Sequence, residues 1–159
     1  VGDAIEDVTE EALSDFMSWF SSIPASLRIF VPGNHDLFFE FYPDCISSLI
    51  PENVVLLENG GIDFEGISFY SLSAKPWLHN IEEIPSGIDF LLTHGPAFGY
   101  WDNGKGCPLL RQIIENGKVK NHIFGYIHEC GGRSLQMSGT TFYNVSVYDE
   151  FLKDKANLI

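Results

Sequence analysis

The sequence predicts an α/β domain built on a mixed sheet. Short apolar runs alternate with stretches of helical periodicity, Gly-centred turns join neighbouring runs as hairpins, and several apolar runs end in loops dense in Gly, Asn and His. A chain of 159 residues with 45% hydrophobic and 14% aromatic content can bury one sizeable core, so a single domain over 1–159 is expected. The 13 Phe, 6 Tyr and 3 Trp exclude a disordered chain.

The elements follow in order. Residues 8–20 predict a helix: Thr9 suits the N-cap, acidic residues fill the first turn, and Ala12, Leu13, Phe16, Met17 and Phe20 recur at helical spacing before Pro24 stops it. Residues 27–31 form an apolar run closed by Pro32-Gly33, as a buried strand would be. A second helix is expected over 36–49, bent or divided at Pro43. Residues 54–57 suit a strand, followed by a turn at Asn59-Gly60-Gly61. Residues 62–64 and 67–72 flank Glu65-Gly66 as a hairpin. Residues 88–92 form another buried strand, 95–106 a Gly- and Pro-rich loop, and 107–116 a helix ended at Gly117. A strand at 122–124 precedes a last hairpin, 134–137 with 141–145, around Ser138-Gly139.

Charge narrows the function classes. Asp plus Glu number 22 against 9 Lys plus Arg, a formal −13, which repels polyphosphate and argues against stable binding to a nucleic-acid scaffold. Carboxylates still attract divalent cations, and a bound cation reverses the local sign for an anionic substrate. Cys45, Cys107 and Cys130 are odd in number and far apart, which makes neither a disulfide framework nor a C-x-x-C zinc site; a reducing, cytoplasmic location is expected. No apolar run approaches the roughly 18 residues needed to cross a bilayer, so no membrane partner is expected. The acidic opening, 1–11, has the pattern of neither a signal nor a transit peptide.

The chemistry-bearing residues gather at strand ends. The run 27–31 leads into Gly33-Asn34-His35-Asp36, the run 88–92 into Thr93-His94-Gly95-Pro96, and the run 122–124 into Gly125-Tyr126-Ile127-His128. Ligands of open α/β sheets bind just beyond the carboxyl ends of strands, where such loops converge. Imidazole nitrogen with carboxylate and amide oxygen suits first-row cations such as Mn, Fe, Ni or Zn. Each piece also has a plainer role: Gly33 to Asp36 could form only a turn and a helix N-cap, and His128 could be a surface histidine. Three strands delivering such residues to one edge favour a metal site.

In this order the motifs resemble the calcineurin-like metallophosphoesterase superfamily, whose pattern is D-x-H, G-D, G-N-H-D or G-N-H-E, a lone His, then G-H-x-H. Gly2-Asp3, Gly33 to Asp36, His94 and Gly125 to His128 match the last four. The loop text around His94 (Leu92 to Tyr100) and around His128 (Phe124 to Glu129) is similar to the small metallophosphoesterase-domain subfamily described as weak cyclic-nucleotide phosphodiesterases. The resemblance implies a four-layer α/β/β/α sandwich. It makes Asp3 the carboxylate bridging two metals, Asn34 and His94 ligands of the second metal and His128 a ligand of the first. His35 becomes the catalytic histidine at the leaving oxygen, with Asp36 orienting it, and one or two ions of Mn, Fe, Ni or Zn the cofactor. Two cations about 3.5–4 Å apart clamp a phosphoryl group and generate a hydroxide near neutral pH.

Two departures shape the functional expectation. The D-x-H element is absent, and the strand carrying it is expected upstream of Val1. Tyr126 stands where the family has the first His of G-H-x-H, and a neutral phenol is a poorer ligand than imidazole, so the second metal site is expected to be weakened. The resemblance implies hydrolysis of small phosphodiesters or nucleotides. The alternative is a catalytically degenerate fold that binds a nucleotide or a protein, and a plain α/β domain is the third reading. Tyr126 and Trp77 are candidate substrate contacts, although Trp77 could equally anchor its loop. His79 and His122 are expected to be structural or exposed; Asn144, at the end of the last hairpin strand, could reach the site from the sheet edge, but a turn role is expected of it.

Overall fold

The computed structural model describes residues 1–80 and 82–147. The single-domain expectation over 1–159 therefore extends beyond the described residues. Helix α1 spans Glu10–Ser22, with the Thr9 side chain accepting from the Ala12 N–H as an N-cap. The expected second helix is two: α2, Phe38–Phe41, and α3, Pro43–Leu49. Pro43 opens α3 because a proline has no N–H to continue the preceding helix and suits a first turn.

Strand β1, Ile29–Phe30, pairs in parallel with β2, Val55–Leu56. The remaining strands are β3 (Gly60–Phe64), β4 (Ile67–Ser71), β5 (Phe90–Thr93), β6 (Asn121–Phe124), β7 (Arg133–Met137) and β8 (Thr140–Asn144). They form one sheet in the order β3-β4-β5-β6-β8-β7. Strands β4, β5, β6 and β8 run parallel, while β3 and β7 pair antiparallel at the two edges through hairpins. Both hairpin turns, Glu65-Gly66 and Ser138-Gly139, hold two successive residues at positive φ, which matches the twist of the strands they join. Helix α4, Pro108–Gly117, is capped by the Cys107 sulfur, which accepts from the Leu110 N–H, and ends at Lys118 in the left-handed region.

Three apolar clusters separate four layers. Phe30, Val54 and Leu56 pack against Leu13, Met17, Phe38, Phe39 and Ile46, which joins α1–α3 to the outer face of the small sheet. Ile29, Val31, Val55 and Leu57 from the other face meet Leu92, Phe69, Phe90 and Ile123, so the two sheets pack face to face. Leu91, Phe124 and Phe142 point away from that interface onto Leu110, Ile113 and Ile114 of α4. Side chains that alternate along a strand thus feed two different cores: Leu91 lies toward α4 and Leu92 toward the small sheet. The order is α/β/β/α. Full burial of Leu91 or Phe124 contributes about 1.5–3 kcal/mol each, enough to hold the parallel strands in register.

Parallel pairing has one consequence for function. The register aligns Thr93 with Phe124 and Phe124 with Asn144, so the carboxyl ends of β5, β6 and β8 lie level at one edge. The segments 94–96, 125–128 and 145–147 leave from that edge.

Candidate metal centre

Segments 2–5 and 33–36 meet at this edge through a carboxylate. Asp36 is fully buried, and its Oδ1 accepts from the N–H groups of Ala4 (2.7 Å) and Ile5 (3.1 Å) while Oδ2 accepts from the Gly33 N–H (2.7 Å). The backbones then come too close for side chains. A Cβ on Gly33 would stand 2.3 Å from Asp3 Oδ1, and one on Gly2 would stand 2.0 Å from His94 Nδ1. Gly2 also lies at φ +75°, where a side chain is strained. The glycines of the G-D and G-N-H-D motifs are therefore a packing requirement.

Three donor atoms converge above this crossing. His94 Nε2 lies 2.8 Å from Asn34 Oδ1 and 3.2 Å from Asp3 Oδ2. Asp3 Oδ1 accepts from the His35 N–H at 2.8 Å, which fixes the carboxylate in place. Burial pushes the Asp3 carboxyl up, but the hydrogen bond and charge of His94, with the His35 N–H and charge, outweigh it and hold the group below its usual range. The carboxylate is kept ionised. His94 is almost fully buried, and its Nδ1 lies 3.4 Å from the Val1 carbonyl oxygen. Nε2 faces two acceptor oxygens, so an N–H there satisfies them, and a cation at this point would take the place of that proton.

The spacing fits one ion. Ligand atoms bonded at about 2.1 Å to a shared cation lie roughly 3–3.5 Å from one another, close to the two distances at His94. The set is one carboxylate, one amide and one imidazole. Among the described residues no group of three or more His, Cys, Asp or Glu side chains is arranged to hold a metal, so a cation here would need the Asn34 amide as well.

The remaining candidates fall into three groups. His128, which opens a short 3-10 turn at His128–Cys130, lines the same pocket of about 160 Å³ as Asp3, His94 and Tyr126. Tyr126 sits at φ +65° with its ring edge-on to His94, centroids 5.4 Å apart. His35 is exposed and outside the lining of that pocket. Both Asp36 oxygens are engaged by backbone N–H groups, so it shapes the loop that carries His35. Trp77 is outside the pocket lining, and its Nε1 donates to the Lys105 carbonyl, the anchoring role weighed above.

Two further residues brace the site, in the turn and structural roles expected of them. Asn144 is buried, donates to the Ile127 carbonyl and accepts from the Ser146 N–H, which braces the turn before His128. It sits at the carboxyl end of β8, which pairs in parallel with β6. His122 is fully buried and bonds Thr93, the residue before His94. Nothing in the sequence distinguishes it from an exposed strand histidine.

Fold and site together define an α/β domain with a carboxylate–amide–imidazole cluster at a sheet edge. No family model matches the chain. It is 28% identical over 190 residues to Metallophosphoesterase domain-containing protein 1 of Homo sapiens, covering 92% of this chain and 58% of that protein, and the Mus musculus protein of the same name gives the same figures. A UPF0046 protein of Caenorhabditis elegans is 28% identical over 175 residues, covering 91% of this chain and 60% of its own length. These relatives bear out the resemblance to the metallophosphoesterase-domain family. The chain spans 58% of the length of the first two.

Proposed function

We propose that this domain takes part in metal-dependent hydrolysis of phosphoester bonds in small phosphodiesters or nucleotides. The observation that carries the proposal is the approach of Asp3, Asn34 and His94 to one point, with His128 on the same pocket wall. A divalent ion such as Mn, Fe, Ni or Zn would be held by these residues, and when bound it would supply charge neutralisation and a water activated near neutral pH. Asp3 contributes an ionised carboxylate whose orientation the His35 backbone holds. The exposed His35 ring is assigned to the leaving oxygen, where an imidazole can donate a proton. Asp36 keeps that loop in register from beneath.

The formal −13 makes the cation necessary for anion binding, since the unaided surface repels phosphate. Three free cysteines are compatible with the reducing cytosol we propose as its location. No helix among the described residues is long and apolar enough to cross a membrane.

One observation favours a second reading. The Tyr126 ring packs against His94 where the family pattern has a ligating His, which supports a weakened metal site and a domain that binds a nucleotide or a protein without turnover. Calorimetry with Mn and with a nucleotide, together with turnover of bis(p-nitrophenyl) phosphate, separates the readings. Metal-dependent turnover abolished by chelation is the expected result. Nucleotide affinity without turnover supports the binding module, and silence in all three assays overturns both.

A further inference from the structure

We infer that His122 is a positioning residue for His94, acting through the Thr93 hydroxyl; this rests on the metal-centre reading above. His122 lies on β6, fully buried beside Phe124 and Phe142. Its Nε2 is 2.8 Å from Thr93 Oγ1, and that hydroxyl is 2.6 Å from the Gly95 carbonyl oxygen. A hydroxyl has one proton. The Gly95 oxygen can only accept, so the Thr93 proton goes there, and His122 must donate Nε2–H to Thr93. This fixes the tautomer of His122. Its Nδ1 is left as a buried acceptor without a partner among the described residues.

The relay therefore has a direction: His122 Nε2–H to Thr93 Oγ1–H to the Gly95 carbonyl. It spans the residues on either side of His94. Two further bonds complete a clamp on the same backbone, from the Gly125 N–H to the His94 carbonyl (3.1 Å) and from the Gly95 N–H to the Ala74 carbonyl (2.8 Å). With its backbone held at both ends, His94 aims Nε2 at Asn34 and Asp3. A histidine chosen for packing alone would be a poor choice here, since burial opposes its charged form and one ring nitrogen goes unsatisfied. A donor at the Nε2 position explains its presence.

The test compares His122→Leu, His122→Gln and Thr93→Val with the unaltered chain. Gln carries an N–H near the Nε2 position, whereas Leu fills the space without a donor and removes the unpartnered acceptor. Mn affinity is measured by calorimetry, and hydrogen exchange at the Gly95 and Gly125 amides is followed in metal-free protein. His122→Leu is expected to weaken Mn binding about tenfold or more and to speed exchange at both amides, with the unfolding midpoint at pH 7 undiminished. His122→Gln is expected to restore both readouts to within about threefold of the unaltered chain. Thr93→Val, which also removes the bond to the Gly95 carbonyl, should weaken Mn binding at least as much as His122→Leu, and adding His122→Leu to it should weaken binding no further. Equal affinity and equal exchange in all variants, or a Gln variant that behaves as Leu does, overturns the inference. Should the unaltered chain bind no Mn, the metal-centre reading fails, and amide exchange alone then decides whether the clamp exists.

Discussion

Replacing Asp36 separates a scaffold role from a chemical one. The side chain accepts three backbone N–H groups, of which those of Ile5 and Gly33 are buried and that of Ala4 is partly so. Asp36→Ala leaves the two buried donors unsatisfied at roughly 1–3 kcal/mol each, for a loss of about 2–6 kcal/mol. A domain of this size has about 5–15 kcal/mol in all, so the loss is large. Asp36→Asn keeps an oxygen for one side of the bracket but turns an amide N–H toward a backbone donor, so its cost should fall between those of the parent and the Ala variant. The control is His35→Ala: the ring is exposed, and its removal should change stability by less than about 0.5 kcal/mol while lowering turnover. Urea unfolding midpoints for the three variants make the comparison. A loss below about 1 kcal/mol in Asp36→Ala, or an equal loss in His35→Ala, would refute the bracket.

Two other outcomes are expected. Tyr126→His puts an imidazole where the ring now faces His94, at a left-handed backbone position that His tolerates. Mn affinity by calorimetry should rise about tenfold, the order that one additional well-oriented ligand or its support contributes, and unchanged affinity would count against a metal at this point. His122 is held by burial down to about 3 from its ordinary 6.5, so the unfolded chain binds a proton that the folded one refuses. Its stability contribution is fully present above pH 6.5 and lost progressively as pH falls toward 3, which amounts to about 2 kcal/mol between pH 7 and pH 5. Unfolding midpoints at those two pH values should diverge less in His122→Leu than in the parent, and parallel slopes would show that the buried imidazole is not the cause.

Local rules carried most of the element assignments. Thr9 marked the start of α1, and Glu65-Gly66 and Ser138-Gly139 marked the hairpins, because caps and tight turns depend on residues adjacent in the chain. Pro43 announced a break, though whether it would bend or divide the helix depended on neighbours supplied by tertiary packing. Strands β1 and β2 are shorter than their apolar runs, since pairing ends where the partner strand does.

The candidate donors stand in the sequence as the motifs Gly2-Asp3, Gly33 to Asp36, His94 and Gly125 to His128, because metal and phosphate chemistry restricts which side chains could serve. Their division of labour does not. Asp36 brackets two backbone segments beneath the loop that carries His35, and Trp77 takes the loop-anchoring role that the sequence left open to it. His122 gained a role only when β6 lay beside β5 in the one register that aligns it with Leu91 and brings its ring to Thr93. Hydrogen bonds between residues 29 or 32 positions apart belong to no local pattern. They arise from parallel pairing and from the packing of two sheets, and those are properties of the folded chain as a whole.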